Sequence, residues 1–520
     1  MHSTVTAPTR TNTRWRWKPL VVSFPIIFTL MMSWGLASPL MSSPDEPAHA
    51  MRAAAVVQGD LTGQLSIREP GTSEVLVPRY LAESMDLTCF RNMILTTAAC
   101  QVPVTDQPNE LVTGYTTATL NTPVFYAITG LPTLFLDGNK AMYAMRAMVA
   151  LMCSALLAIA FMAIAQLPRR RWTLFSVAVA VTPMVLFLSG TINPNAVEVC
   201  AAVATLALMT LIFREDSSGS VLLERIALLA LSVFLLVNTR SLSLFWLLII
   251  SVIALILARP AVLKAVFSRP TAWVGTAVMG TAVVFALWWF LTPKGLTQEF
   301  QSVGVGTPWL TAFITSLDRT FDLGYGWIGV FGWLDTPAPA FTLIVWIVAS
   351  GTLVVGAFLF GSWRFRACLI VLATALVLLP ALIQASLAAE WGYVWQGRYT
   401  LAIFVCLIVV SGLALDEGAS PTWPSPLKRL PRLAIVMIAF AQLAAFLWAL
   451  KRYVVGLSWD LTWIAMIGQP NWQPPFGWIA IACCFAAALA VGVIVLSKSL
   501  NTTDEGPAED ERLLVGPYHR

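Results

Sequence analysis

Charge is what this sequence has least of: charged residues fill 11% of its 520 positions, against 58% hydrophobic. A water-soluble globular domain is about a quarter charged, so a soluble enzyme is excluded. The net charge of +5 is small for the length and spread over separate segments, which excludes an electrostatic nucleic-acid binder. Three histidines occur, His2, His49 and His519, too few and too scattered for a His-based metal site. Eight cysteines include no C-x-x-C pair, and six of them (Cys153, Cys200, Cys368, Cys406, Cys483, Cys484) lie in apolar runs, where a thiol acts as a small hydrophobe. No Walker sequence, G-x-S-x-G or H-E-x-x-H is present, so an ATP-driven pump, a serine hydrolase and a zincin lack support. Nor does the chain show the internal repeat that marks many secondary transporters.

What the chain has instead is long apolar runs. A helix crossing a bilayer needs about 20 mostly apolar residues. Twelve runs qualify: 19–40, 142–167, 172–189, 196–213, 221–237, 242–257, 272–291, 341–361, 367–387, 401–415, 433–450 and 478–496. The first is too long, and too unlike a processing site, for a cleaved signal peptide. The pair joined around Asn238–Arg240 is short and reads as a tight hairpin.

Segment 122–136 is apolar but only 15 residues long and interrupted by Pro132. It either crosses or lies on the membrane surface, and charge decides, because cytoplasmic loops collect Lys and Arg. The basic start (Arg10, Arg14, Arg16, Lys18) belongs inside. If 122–136 does not cross, then Arg169–Arg171, the group Arg259, Lys264 and Arg269, the pair Arg364 and Arg366, the group Lys428, Arg429 and Arg432, and Lys498 all fall inside too. The expectation is an all-α polytopic membrane protein of about twelve transmembrane helices, with both termini cytoplasmic. Its parts are a tail over 1–18, a membrane domain over 19–498 with a juxtamembrane helix at 122–136, and a disordered tail over 499–520.

This orientation puts loop 42–121 outside, where its nine acids outnumber four arginines. Alternation such as Glu74-Val75-Leu76-Val77-Pro78 predicts that it folds as a small mixed cap. Cys89 and Cys100 sit in this loop; a disulfide or two free thiols are both open.

Five constellations could carry chemistry. Ser43-Pro44-Asp45-Glu46-Pro47-Ala48-His49 follows the first span at the outer boundary. Adjacent carboxylates there suit general-base work or a cation, and equally suit the start of a helix. Arg146, Glu198, Arg240 and Arg398 are charges in or at the ends of apolar segments, where charge is costly. Arg146, Arg240 and Arg398 lie toward the outer side, and their planar forks suit phosphate as well as structural pairing. The remaining three are the turn Gly190-Thr191-Ile192-Asn193-Pro194-Asn195, the run Gly332-Trp333-Leu334-Asp335-Thr336-Pro337, and the aromatic-rich Trp391–Tyr399, which contains Gln396, Arg398 and Tyr399. Aromatics in that last stretch fit sugar stacking or an interfacial belt.

Together these stretches resemble a known pattern. Pro44-Asp45-Glu46-Pro47 after the first span, Asn121-Thr122-Pro123-Val124-Phe125-Tyr126 before the second, and Ala144-Met145-Arg146-Ala147 opening it are similar to the GT-C superfamily of polytopic glycosyltransferases. More closely, the chain resembles a bacterial family of predicted membrane proteins of unassigned function with a Pro-Asp-Glu-Pro-Ala-His-like opening. Counterparts of that family's other motifs are Asn193–Asn195, Gly332–Pro337 and Gln396–Tyr399; Asn195 departs from an expected acid.

The resemblance implies a GT-C-like fold and an inverting transferase at the outer face. The donor would be a polyprenyl-phosphate sugar and the acceptor an envelope glycan or glycolipid. Asp45 would be the general base, with Glu46 assisting or exchanging roles. His49, Arg146, Asn193, Arg240, Asp335, Gln396, Arg398 and Tyr399 would bind substrate, the arginines holding the departing phosphate. No cofactor is required; a divalent cation is conceivable, although the nearby acids are too few for a cage. The competing reading is a lipid-linked glycan transporter or a non-catalytic assembly protein. A transporter needs polar groups at mid-membrane, and Glu198 is the main candidate there.

Overall fold

The computed structural model describes residues 17–103, 109–292, 303–418, 425–458 and 463–501. The tail arginines Arg10, Arg14 and Arg16, the acid Asp106 and the tail beyond 501 lie outside the described residues, as do the side chains of Lys428 and Arg429.

In chain order, α1 (Lys18–Ala37) leads into a cap built of α2 (Glu46–Val57), β1 (Gln64–Leu65), β2 (Ser73–Pro78), α3 (Arg79–Ala82) and β3 (Leu111–Thr116). Then come α4 (Pro123–Gly130), α5 (Gly138–Ile164), α6 (Arg171–Ala180), α7 (Pro183–Ser189), α8 (Pro194–Arg214), α9 (Gly219–Val237), α10 (Ser243–Leu257), α11 (Pro260–Phe267) and α12 (Pro270–Leu291). The last part comprises α13 (Trp309–Asp318), α14 (Thr320–Ile328), β4 (Val330–Phe331), β5 (Thr336–Pro337), α15 (Ala340–Phe360), α16 (Trp363–Trp391), α17 (Leu401–Gly418), α18 (Ser425–Val454), α19 (Trp463–Gly468) and α20 (Trp478–Asn501).

Among the described residues, ten helices are long and apolar enough to cross a membrane, or twelve if two bent pairs each count as one crossing. The expected run 172–189 is such a pair: α6 and α7 meet at 60°, where Pro183 opens α7 and the Thr182 side chain caps it. The run 242–257 is α10, from which α11 turns away by 117°. α8 and α17 are the central helices: the apolar windows of these two spans are 100% and 94% buried, against 17–22% for α12, α15 and α20 at the periphery. Apolar residues all round a helix are what a bundle interior requires.

Segment 122–136 forms α4 followed by a short 3-10 turn, Leu131–Leu134, broken where Pro132 falls. Twelve residues reach about 18 Å at 1.5 Å each, short of a ~30 Å hydrocarbon core. α4 packs on α2, with Gly130 against the Ala53 carbonyl so closely that no Cβ fits.

The cap is ordered. β1, β2 and β3 form an antiparallel sheet in which Ser73 pairs with Thr116 and Pro78 with Leu111. Val75 and Val77 face inward and Leu76 outward, the period-2 pattern of a half-buried strand. Thr116 Oγ1 donates to Ala48 O at 2.7 Å and ties the sheet to α2. Cys89 and Cys100 form a disulfide.

The 27 residues of α5 separate two charged ends of the bundle. Arg146, near the start of α5, lies with the cap. At the far end, Arg169, Arg214, Arg259 and Arg364 surround a cavity with Glu215, Asp416 and Glu417. The basic groups at Arg169, Arg259 and Arg364, assigned to one side from charge alone, thus meet at one end.

Candidate functional site

The site starts where α1 stops. Gly35 in α1 and Gly190 after α7 touch backbone to backbone; a Cβ on Gly190 would fall 2.6 Å from Gly35 N. That approach brings Ile192 beside the loop from Ser38 to Asp45. Asp45 precedes α2 with φ 66°, a left-handed conformation that Asp tolerates better than most side chains. Its side chain is 47% exposed, while Glu46, the next residue, is fully buried.

The two carboxylates have separate surroundings. Glu46 Oε1 accepts from Arg146 Nε at 2.8 Å and from Ile192 N at 3.1 Å. Glu46 Oε2 accepts from Arg146 Nη2 at 2.8 Å and from Ser43 N at 3.3 Å. Arg146 spends its remaining N–H groups on Gly35 O (2.8 Å), Ser38 O (2.7 Å) and Pro39 O (2.7 Å). All five guanidinium donors are therefore engaged. This corrects the expectation for Arg146: it has no donor left for a phosphate, and it locks the end of α1 to the start of α2. Glu46 is likewise occupied, which removes the expected exchange of roles with Asp45.

Asp45 Oδ2 instead accepts from Arg398 Nη2 at 2.7 Å. The Arg398 side chain is 1% exposed, and its Nε and Nη1 have no hydrogen-bond partner among the described residues. Arg240 stands nearby. Its Nη1 donates to Asn195 Oδ1, and its guanidinium lies 4.4 Å from the centre of the Tyr399 ring. Arg398 lies 5.6 Å from the same ring. Asn195 Nδ2 makes a long 3.5 Å bond to Arg398 O, so this residue bridges the two arginines. An uncharged amide serves both contacts, its oxygen accepting from Arg240 and its nitrogen donating to Arg398 O. Asn193 caps α8 through Asn195 N at 3.0 Å and reaches Pro44 O at 3.4 Å.

A family described as predicted membrane protein (DUF2142) matches residues 28–407. The chain belongs to this family. No curated protein and no solved structure matches it. The matched stretch of this DUF2142 protein includes Asp45, Arg240 and Arg398.

In this DUF2142 chain, His49 Nδ1 lies 2.9 Å from Tyr126 Oη, which accepts from Asn121 Nδ2 at 3.0 Å. The hydroxyl and Nδ1 share a hydrogen bond whose direction follows the His49 tautomer. Burial lowers the His49 pKa to about 3, with the positive Arg240 and Arg398 adding to it and Asp45 opposing. His49 is therefore neutral at neutral pH. Burial alone would raise the Asp45 pKa, but the charges of Arg398, His49 and Arg240 outweigh it and the net shift is downward. Neutral His49 contributes little of that charge, so the arginines carry the effect.

Gln396 sits just ahead of the turn Gly397–Thr400, partly buried, with Oε1 unpartnered among the described residues. Asp335 is placed differently from expectation. It accepts from Asn92 N (3.1 Å), Arg452 Nη2 (3.4 Å) and Thr336 Oγ1 (2.8 Å). Arg452 also donates to Phe90 O, Met93 O and Thr96 O, so Asp335 and Arg452 clamp the disulfide loop rather than joining Asp45 and Arg398. Glu198 lies inside the bundle and accepts from Ser243 Oγ (2.7 Å) and Trp246 Nε1 (3.0 Å).

Sequence reading missed Gln384. Its Nε2 donates to Gly392 O (2.7 Å), and its Oε1 accepts from Val394 N (2.9 Å) and Trp395 N (2.8 Å). It thereby fixes the strand of loop that delivers Gln396, Arg398 and Tyr399. A lone amide in the apolar run between Arg366 and Glu390 of α16 was the available signal. Among the described residues, no group of three or more His, Cys, Asp and Glu gathers as a metal site would need.

Proposed function

We propose that the chain is a membrane glycosyltransferase of GT-C type that moves a sugar from a polyprenyl-phosphate donor to an envelope glycan or glycolipid. The observation that carries this reading is the buried Arg398, with two guanidinium nitrogens unpartnered among the described residues, beside a half-exposed carboxylate. A buried donor left unpaired is expensive, and a phosphate supplies the missing acceptors. The likeness of Pro44–Pro47 and Asn121–Tyr126 to GT-C stretches supports the same class.

In this proposal Asp45 takes the proton of an acceptor hydroxyl. That oxygen attacks the anomeric carbon from the face opposite the phosphate. The bond between the anomeric carbon and the phosphate oxygen breaks, and the polyprenyl phosphate leaves with inversion at the sugar. Negative charge grows on the departing phosphate, where Arg398 and Arg240 stabilise it. The lowered Asp45 pKa leaves the carboxylate ionised and ready to accept a proton. Neutral His49 and Gln396 orient hydroxyl groups. Tyr399 offers its ring to both arginines, which lie 4.4 and 5.6 Å from its centre, and so holds them near one another.

The site belongs on the outer face in this reading, with both termini cytoplasmic. The positive-inside pattern and a disulfide in the cap support that side. The test is sugar transfer by purified protein in lipid, using a series of polyprenyl-phosphate sugars. Transfer that vanishes in Asp45→Asn supports the proposal. An intact wild-type protein that transfers no sugar from any such donor refutes it.

A further inference from the structure

The turn that carries Arg240 is held by a buried acid that the proposed chemistry does not use. Glu198 is fully buried in α8, three residues after Asn195. Side chains three apart on a helix lie on one face, and this face of α8 meets the turn between α9 and α10. Asn195 Oδ1 accepts from Arg240 Nη1. Glu198 Oε1 accepts from Ser243 Oγ at 2.7 Å and from Trp246 Nε1 at 3.0 Å, both side chains fully buried. Ser243 N donates in turn to Arg240 O at 3.1 Å. Two hydrogen bonds in series thus join the Glu198 carboxylate to the Arg240 backbone. The start of the same turn is tied to the segment before α4, where Thr122 Oγ1 donates to Asn238 O at 2.5 Å.

A long arginine side chain is useful at a site only if its backbone is held still, because its own rotamers are many and ordering them costs free energy. The Asn195 bond fixes the guanidinium end of Arg240, and the Glu198 bonds fix the backbone end. A carboxylate is the stronger acceptor for that task, since a bond to an ionised group is about twice as strong as one between neutral groups. We infer that Glu198 is a positioning residue, which sets Arg240 through Ser243 and Trp246 so that the guanidinium meets the departing phosphate. The inference rests on the reading of Arg240 as a group that stabilises that phosphate. It gives this buried acid a task that requires no transport path.

The experiment measures sugar transfer from a polyprenyl-phosphate donor by the full chain in lipid, for Glu198→Ala, Glu198→Gln, Arg240→Gln and the double variant of Glu198→Ala with Arg240→Gln. Glu198→Ala should lower kcat/KM for the donor about tenfold, the worth of roughly one hydrogen bond to a charged group. Glu198→Gln keeps an oxygen where Ser243 and Trp246 donate and should recover most of that loss. A residue that works through Arg240 adds nothing once Arg240 is gone, so the double variant should match Arg240→Gln alone. Losses that simply multiply overturn the inference, as does wild-type transfer in Glu198→Ala. If Glu198→Ala does not fold, Trp246→Phe removes one of the two donors and takes its place in the same cycle. If Arg240→Gln transfers as well as wild type, or no variant transfers at all, the phosphate role of Arg240 has failed on its own account. Hydrogen exchange over residues 238–246, which needs no transfer, then decides whether Glu198 positions Arg240. Faster exchange in Glu198→Ala that Glu198→Gln restores supports it, and exchange unchanged in Glu198→Ala overturns it.

Discussion

Glu46→Gln and Asp45→Asn remove one charge each from neighbouring residues, yet they should fail in opposite ways. Every contact made by the Glu46 carboxylate is with a donor: Arg146 Nε and Nη2, Ile192 N and Ser43 N. A glutamine amide would turn an NH₂ toward those donors and leave the buried Arg146 without its counter-charge. Removing one partner of a buried pair costs about 3–5 kcal/mol, a large part of the ~5–15 kcal/mol that holds a typical domain folded. Asp45 is half-exposed and Asn keeps an oxygen that can accept from Arg398, so its loss should cost less than that of Glu46, but more than the ~1 kcal/mol of an exposed pair, because Arg398 is buried. Asn also tolerates the left-handed backbone at this position. Its effect on transfer should instead be about 10²–10⁴-fold, the usual contribution of a general base. The assay is thermal unfolding of both variants in one detergent, followed by transfer measured below the lower transition. Glu46→Gln should unfold many degrees early, and Asp45→Asn less early than that but inactive. A Glu46→Gln protein as stable as wild type and inactive would refute the division of labour and return Glu46 to the chemistry.

Arg398→Lys keeps the charge beside Asp45 but loses the fork; transfer should fall by about 10²-fold, as for loss of one transition-state donor, with the unfolding temperature little changed. His49 binds its proton only near pH 3 when folded but near 6.5 when unfolded, so below about pH 6.5 the unfolded state takes up more protons and stability falls with pH. The slope is about 1.4 kcal/mol per pH unit down to the folded pKa; the stability advantage of wild type over His49→Gln should shrink across that window, and a constant difference would contradict a neutral buried ring. A cysteine placed at Arg169 should resist a membrane-impermeant reagent applied to intact cells; labelling from outside would invert the topology.

The spans were legible because each needs only a local property, a long apolar run, and the helices coincide with those runs to within a few residues. The cap strand at Ser73–Pro78 was legible for the same reason, since alternation is local. The division between Asp45 and Glu46 was not. Two adjacent acids look alike in sequence, and what distinguishes them is Arg146, 100 residues on for one, and Arg398, 353 residues on for the other. Asp335 was misplaced for a related reason: its motif is close in sequence to nothing that explains it, and its partner Arg452 arrives from α18. Gln384 was overlooked because a single amide in an apolar helix gives no hint of the loop carbonyl and amides it will hold.

Those same separations set an order of assembly during synthesis. Glu46 emerges 100 residues before Arg146, so at about 5–20 residues per second it waits some ~5–20 s for its counter-charge. Until then the start of α2 has no lock and must stay near water. The pair of Asp45 and Arg398 can close only when the chain has grown 353 residues beyond Asp45. A ribosome stalled after α5 would thus release a chain that can dock its first two spans but has no site at all. The lock between α1, α2 and α5 is made early in translation, and the pocket only after most of the bundle is in the membrane.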